Sequence, residues 1–191
     1  DGIWRSDIVP PLASEITIGI LGLGVLGSAV AESLSTVGFN IIGWSQTSKN
    51  ISNVKSSFGT DGLIQVLQSA QMLIVLLPLT PQTQYLLNAS TLKHLPKNAI
   101  ILNPGRGLII NDNDLLALLE SKHIRHATLD VFSQEPLPTS HPFWSHPKVT
   151  VTPHIAAHTR HHSSAETITQ SILKIRAGNL PEGLVNRKAF Y

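Results

Sequence analysis

Three side chains suited to gripping an anion and moving a proton stand just beyond apolar runs. Arg106 lies within Asn103-Pro104-Gly105-Arg106-Gly107, Glu135 follows Asp130 closely, and His154 ends the run KVTVTPH. Arg106 is either a solvated turn residue or a planar fork for a carboxylate or carbonyl oxygen. His154 follows a proline, so its approach is constrained; held in one tautomer by Glu135, it keeps a proton available near neutral pH. A carboxylate beside the ring favours its charged form. These parts suit reduction of a carbonyl. Hydride reaches the carbon, His154 gives its proton to the oxygen, and Arg106 stabilises the negative charge that develops. The product is a 2-hydroxy acid.

A source for the hydride is legible at residues 16–27, ITIGILGLGVLG. A β-rich run stops at Gly22, and Gly22, Gly24 and Gly27 follow the G-x-G-x-x-G spacing ahead of a helix, SAVAESLSTVG. Strand, glycine turn and helix in that order suit a dinucleotide pyrophosphate: the first glycine turns, the second leaves room for phosphate, and the third lets helix and strand pack. A bare glycine triplet is weak; its context strengthens it.

The elements that must position these groups alternate in the manner of parallel βαβ units. Strands are expected from Ile16, at FNIIGW (39–44), AQMLIVLLPL (70–79), AIILN (99–103), IRHATLDVF (124–132) and KVTVTP (148–153). The continuous apolar run at 70–79 suits a strand buried on both faces. Asp61 is expected to cap GLIQVLQSA, and Asn111 or Asp112 to cap NDLLALLESK. A helix is expected over HHSSAETITQSILKIRAG, with Ala165, Ile168, Ile172 and Ile175 on one face and Gly178 ending it. The fold class is α/β, a Rossmann-type doubly wound parallel sheet with flanking helices. Residues 1–15 read as a lead-in, 16–160 as a dinucleotide-binding domain and 161–191 as a C-terminal helix and tail.

Composition narrows the partners. The chain has 191 residues, 42% apolar and 14% charged, with a formal net charge of +2. That charge, with no Lys/Arg run and no interleaved aromatics, marks no nucleic-acid surface. No apolar stretch reaches membrane-spanning length. No cysteine is present, which excludes disulfides and thiolate metal sites and fits a reducing, cytoplasmic compartment. His141, His146, His154, His158, His161 and His162 crowd one region, but without metal-ligand spacing, so no metal is expected. His161 and His162 face either solvent or a dimer partner. Trp144, in the proline-rich SQEPLPTSHPFWSHP connection, either covers the substrate or buries itself against the sheet. The first residue is Asp1 and the only methionine Met72, so the chain reads as a piece of a longer product.

The ordered motifs ILGLGVLG, WSQTSK, LLPLTPQT, NPGRG, DVFSQEPLP and HPFWSHPKVTVTPHIAAHT, with a short aromatic-ended tail, resemble the D-isomer-specific 2-hydroxyacid dehydrogenases. The likeness runs from about Trp4 to Tyr191, and within the family it is strongest to the bacterial glyoxylate/hydroxypyruvate reductases of the A type. The resemblance implies that Arg106 binds substrate, Glu135 is the partner acid and His154 the general acid/base. It places Asp130 near the nicotinamide carboxamide and Leu77, Pro78 and Thr83 along the adenine and ribose side. It adds Val25, Leu26, Trp44, Pro104, Gly105, Ala156 and Ala157 to the cofactor contacts, with Arg106 and His154. It also implies a small 2-oxoacid or 2-hydroxyacid substrate and a homodimer paired through the nucleotide-binding domains.

Two departures from the family pattern matter. Many members hold the ribose hydroxyls with an acid at the end of the second strand, where this chain has Trp44-Ser45-Gln46. Ser45, Gln46, Thr47, Ser48 and Lys49 could instead hold a 2′-phosphate, so NADP(H) is favoured over NAD(H). Related reductases often carry arginine where Gln46 and Ser48 stand, which weakens that grip. The second departure is Pro104, which stiffens the approach to Arg106, with Gly105 leaving room for the nicotinamide. The family's smaller substrate domain, built mainly from residues preceding this domain, is expected to be largely absent, leaving half an active-site cleft. An NAD-linked dehydrogenase of a larger 2-hydroxy acid and a non-catalytic dinucleotide sensor are the competing readings.

Overall fold

The computed structural model describes residues 9–181, 183 and 184. The first part of the lead-in and the aromatic-ended tail lie outside the described residues. The chain divides into two compact units, Asp1–Pro153 and His154–Tyr191.

The first unit is built on seven parallel strands: β1 (Thr17–Leu21), β2 (Asn40–Trp44), β3 (Val54–Ser57), β4 (Met72–Val75), β5 (Ala99–Asn103), β6 (Ile124–Leu129) and β7 (Val149–Val151). Their spatial order is β3-β2-β1-β4-β5-β6-β7. The chain leaves β1 in one direction to build β2 and β3, then returns to lay β4 on its other side. That reversal opens a crevice beyond the carboxyl ends of β1 and β4, where open α/β sheets bind ligands. The helices are α1 (Val25–Val37), α2 (Gly59–Ser69), α3 (Ala89–Leu92) and α4 (Asp112–Glu120).

Alternation along the strands feeds two cores. Ile18 and Ile20 of β1 and Ile74 of β4 join Ala31 of α1 on one face. Leu21, Leu73 and Val75 join Leu63 and Leu67 of α2 and Leu115 and Leu119 of α4 on the other. Burial on both faces is why these strands read as unbroken apolar runs. Gly19 belongs to the tighter face, where a Cβ would stand 2.7 Å from Ala70 Cβ.

Several boundaries differ from the sequence reading. Helix α1 begins at Val25, ahead of Ser28, because Gly24 serves as its N-cap. The run at 70–79 is a strand only over Met72–Val75; beyond it Leu77 and Pro78 turn away from the sheet. Helix α2 starts at Gly59 with Phe58 as N-cap, so Asp61 is a first-turn acid and not the cap. There it still suits the positive end of the helix dipole. Asn111, not Asp112, caps α4, its side chain accepting from the Asp114 N–H at 3.1 Å. Strand β3 was not expected: VKSS is short, polar and at the sheet edge, where one face needs little apolar surface.

The second unit contains α5 (His161–Arg176), with Gly178 beyond its end at φ +77°. None of its residues is buried, and Ile168, Ile172 and Ile175 are exposed. Among the described residues no helix is long and apolar enough to cross a membrane.

Candidate functional site

The crevice is shaped first by backbone packing. The Gly22 N–H donates to Trp44 O at 2.8 Å, and the Leu76 N–H donates to Leu21 O at 2.7 Å, so the sheet pairing continues to the lip. Gly22 turns there with φ +102°, and a Cβ on it would meet Leu76 O at 2.6 Å. A Cβ on Gly27 would stand 1.8 Å from Gly22 O, the close helix–strand contact expected of the third glycine. Gly24 is different: nothing lies within 4 Å of the Cβ position. That open space adjoins the first turn of α1, whose N–H groups lack intrahelical acceptors and receive no side-chain cap. Space and unmet donors together fit a dinucleotide pyrophosphate. Val25 and Leu26, 91% and 60% exposed, present apolar surface at the same turn.

At the end of β2, Trp44 donates its indole N–H to Gly59 O at 2.8 Å, tying β2 to the start of α2. Ser45 is buried; its N–H donates to Ser57 O and its hydroxyl to Thr47 O at 2.6 Å. This turn leaves Gln46, Thr47, Ser48 and Lys49 exposed on the β2–β3 connection, residues 45–53, which contains no carboxylate. The corner therefore offers polar side chains and one cation, the chemistry of a phosphate site.

After β4, Leu77 is buried and Pro78 half-buried. Thr83 knots this segment. Its hydroxyl donates to Pro78 O at 2.7 Å and accepts from the Thr80 N–H at 2.8 Å. The side chain is nine-tenths buried, so it shapes the loop from within.

The Arg106 loop is fixed by a residue that sequence reasoning did not single out. Asn103, 2% exposed at the end of β5, accepts from the Gly105 N–H through Oδ1 and donates through Nδ2 to Arg106 O, both at 3.1 Å. A polar residue directly after AIIL was the available signal. Arg106 is exposed, and its Nη1 donates to Gly105 O at 2.7 Å. Gly105 does more than leave room for a ligand, because its Cβ would strike Val75 O at 2.8 Å. Gly107 presses closer still, 1.9 Å from the Phe132 carbonyl carbon at the Cβ position. Pro104 is half-buried at the start of this loop.

Asp130 is 4% exposed beyond β6, receiving the Thr152 hydroxyl on Oδ1 at 2.5 Å while its N–H donates to Asn103 O at 3.0 Å. Asp130 and the Arg106 loop thus share Asn103. Glu135 is exposed, and its Oε1 accepts from the Phe132 N–H at 2.9 Å. Through Phe132, the Glu135 turn abuts Gly107. Trp144 does not bury itself against the sheet: it is 54% exposed, with its indole N–H on Pro138 O at 3.0 Å. Phe143, 1% exposed, takes the buried position.

His154 opens the second unit, immediately after Pro153, with φ +54°. It is exposed, as are Ala156 and Ala157. Left-handed backbone is uncommon outside glycine, though histidine is enriched among the exceptions. The histidine-rich stretch has separate local uses: His141 caps the short turn Pro142–Trp144, while His146 and His162 face Glu120 and Glu166. Among the described residues, no group of three or more His, Cys, Asp or Glu is placed to hold a metal ion.

Comparison with known proteins agrees with this architecture. Residues 1–156 match the family described as D-isomer specific 2-hydroxyacid dehydrogenase, NAD binding domain. The chain is 46% identical over 184 residues to glyoxylate/hydroxypyruvate reductase A of Yersinia enterocolitica, covering 96% of this chain and 58% of that protein. A D-isomer specific 2-hydroxyacid dehydrogenase from Xanthobacter autotrophicus Py2, solved with NADPH and MES, matches at TM-score 0.96 and 40% identity. That match covers 100% of this chain and 78% of the solved one. The NADPH-dependent glyoxylate/hydroxypyruvate reductase of Sinorhizobium meliloti, solved with NADP and sulfate, matches at TM-score 0.94 and 36% identity, covering 98% and 60%. The chain therefore spans well under two thirds of the Yersinia relative's length, and the shared part is the nucleotide-binding domain. With its strand order, glycine turn and ordered loop motifs, the chain belongs to the D-isomer-specific 2-hydroxyacid dehydrogenase family.

Proposed function

We propose that the complete protein reduces a small 2-oxoacid, glyoxylate or hydroxypyruvate, to the 2-hydroxy acid with NADPH. The observation that carries this reading is 46% identity to a glyoxylate/hydroxypyruvate reductase A across nearly all of this chain, with Arg106, Glu135 and His154 all present. Gly22, Gly24, Gly27 and the first turn of α1, including Val25 and Leu26, hold the pyrophosphate. Ser45, Gln46, Thr47 and Lys49 hold the 2′-phosphate beside Trp44, and Leu77, Pro78 and Thr83 line the adenosine side. Pro104, Gly105 and Asp130 are the first unit's residues toward the nicotinamide, and the family resemblance adds Ala156 and Ala157 to the cofactor contacts. Bound there, the reduced nicotinamide supplies hydride to the carbonyl carbon. Arg106 binds the substrate carboxylate and the carbonyl oxygen with its planar fork. His154 donates the proton that the oxygen requires, with Glu135 as its partner acid. The working protein is a homodimer. Assaying the complete protein with glyoxylate, hydroxypyruvate, pyruvate and phosphoglycerate, each with NADPH and NADH, tests the reading. Turnover confined to a larger acid with NADH would refute it.

Two variants divide cofactor from substrate recognition. Lys49→Glu is expected to weaken NADPH binding about tenfold, equivalent to about 1.4 kcal/mol, while NADH binding changes little. Equal losses in a fluorescence titration would remove Lys49 from the phosphate corner. Arg106→Lys keeps the charge and loses the two-pronged grip, so it is expected to raise KM and lower kcat together, by about tenfold or more in kcat/KM. Near-normal turnover would remove Arg106 from substrate recognition.

A further inference from the structure

The connection after β6 carries Glu135 and is held to both ends of α4. Asp112 opens that helix, and its Oδ2 accepts from the Ser133 hydroxyl at 2.8 Å. The same oxygen lies 3.8 Å from Nε2 of His141, too far for a hydrogen bond. His141 Nδ1 accepts from the Phe143 N–H at 3.3 Å, which puts the proton of the neutral ring on Nε2, facing the carboxylate. At the other end of α4, His146 uses Nδ1 to accept from the Lys148 N–H and sets Nε2 3.2 Å from Glu120 Oε1. Lys148 Nζ donates to Leu119 O at 2.5 Å. Between these ties, Phe143 is buried, its ring tilted against those of His141 and Phe132 with centroids 4.5 Å and 6.4 Å away.

Ser, His and Asp together invite a nucleophile reading, but the bonding opposes it. Ser133 gives its proton to Asp112, and the Nδ1 of His141 is engaged by backbone, so the contacts place no base on the serine. What the cluster does is fix Ser133, which stands just ahead of Glu135. Glu135 Oε1 in turn closes back on the Phe132 N–H. We propose that Asp112, with Ser133 and His141, is a positioning group that sets the Glu135 carboxylate for proton transfer. This rests on the role given to Glu135 above.

The physical claim is tested on this chain by substituting Asp112 with alanine and following hydrogen exchange of the Trp144 indole N–H, which sits on Pro138 O in the same connection. Loosening is expected to speed that exchange about tenfold or more; unchanged exchange overturns the proposal. The functional claim is tested in the complete enzyme by a double-mutant cycle. Asp112→Ala is expected to lower kcat about tenfold, with NADPH affinity kept, and to have no further effect in an Glu135→Gln background. Asp112→Asn, which retains an acceptor for Ser133, is expected to recover part of kcat. A normal kcat in Glu135→Gln overturns the role of Glu135 and this proposal with it. Impaired Glu135→Gln beside a silent or additive Asp112→Ala overturns the positioning role alone. Should Asp112→Ala fail to fold, His141→Asn serves, since asparagine keeps the acceptor for the Phe143 N–H and loses the reach to Asp112.

Discussion

Replacing His154 by alanine in the complete enzyme is expected to lower kcat about 10²- to 10⁴-fold, the usual worth of a positioned general acid, while NADPH affinity changes little. The side chain proposed to carry the proton sits on unusual backbone, φ +54°, directly after Pro153. Such a conformation costs free energy in an L-residue and persists where surrounding structure over-determines it. Alanine lacks the tolerance of left-handed backbone that histidine shares with asparagine, so His154→Asn is the companion variant. Asparagine tolerates the left-handed region and offers amide hydrogen bonds, yet has no proton to transfer. Both variants should therefore lose kcat, and pre-steady-state reduction should show the chemical step slowed. Near-normal turnover by His154→Asn would leave His154 a turn residue and require another acid.

Much of the scaffold was legible because its physics is local. Gly22, Gly24 and Gly27 announce a turn by spacing, and the structure gives each a separate reason, a left-handed turn, open space and a close contact. Runs such as AIILN and MLIV read as strands because helices cover both faces, so no polar alternation interrupts them. The edge strand Val54–Ser57 was hidden for the converse reason: it buries so little that VKSS carries no apolar period. Asn103 and Thr83 act by hydrogen bonds inside their own loops, which composition does not reveal. The ties from Asp112 were further from view, since Ser133 and His141 reach it only after β6 has been laid beside β5. Phe143 and Trp144 are adjacent aromatics of similar hydrophobicity, and only the fold decides which one goes inside. The roles of Arg106, Glu135 and His154 were suggested by type and order, because strand ends of a parallel sheet gather at one edge.

A pair of glycine substitutions should separate the folding role of the nucleotide turn from its binding role. Gly27→Ala places a methyl group where Gly22 O lies 1.8 Å away, and both partners are backbone. Gly22 cannot easily yield, because its own Cβ position is closed by Leu76 O at 2.6 Å. Helix α1 must therefore move off β1, at a cost of about 1–3 kcal/mol, which lowers Tm by roughly 2–12 °C for a chain of this size. NADPH affinity should fall with it, since the donors of the first turn move too. Gly24→Ser is expected to behave otherwise. Gly24 is an extended N-cap at φ −77°, with nothing within 4 Å of its Cβ position. Serine suits that conformation and that capping position, so Tm should hold or rise slightly. Its side chain nevertheless occupies the space assigned to the pyrophosphate, and its oxygen competes for the same N–H groups. Thermal melts and NADPH titrations of both variants decide the matter. Gly24→Ser with unchanged NADPH affinity would show that the open space is not where the phosphates lie, and Gly27→Ala with unchanged Tm would show that α1 can shift without cost.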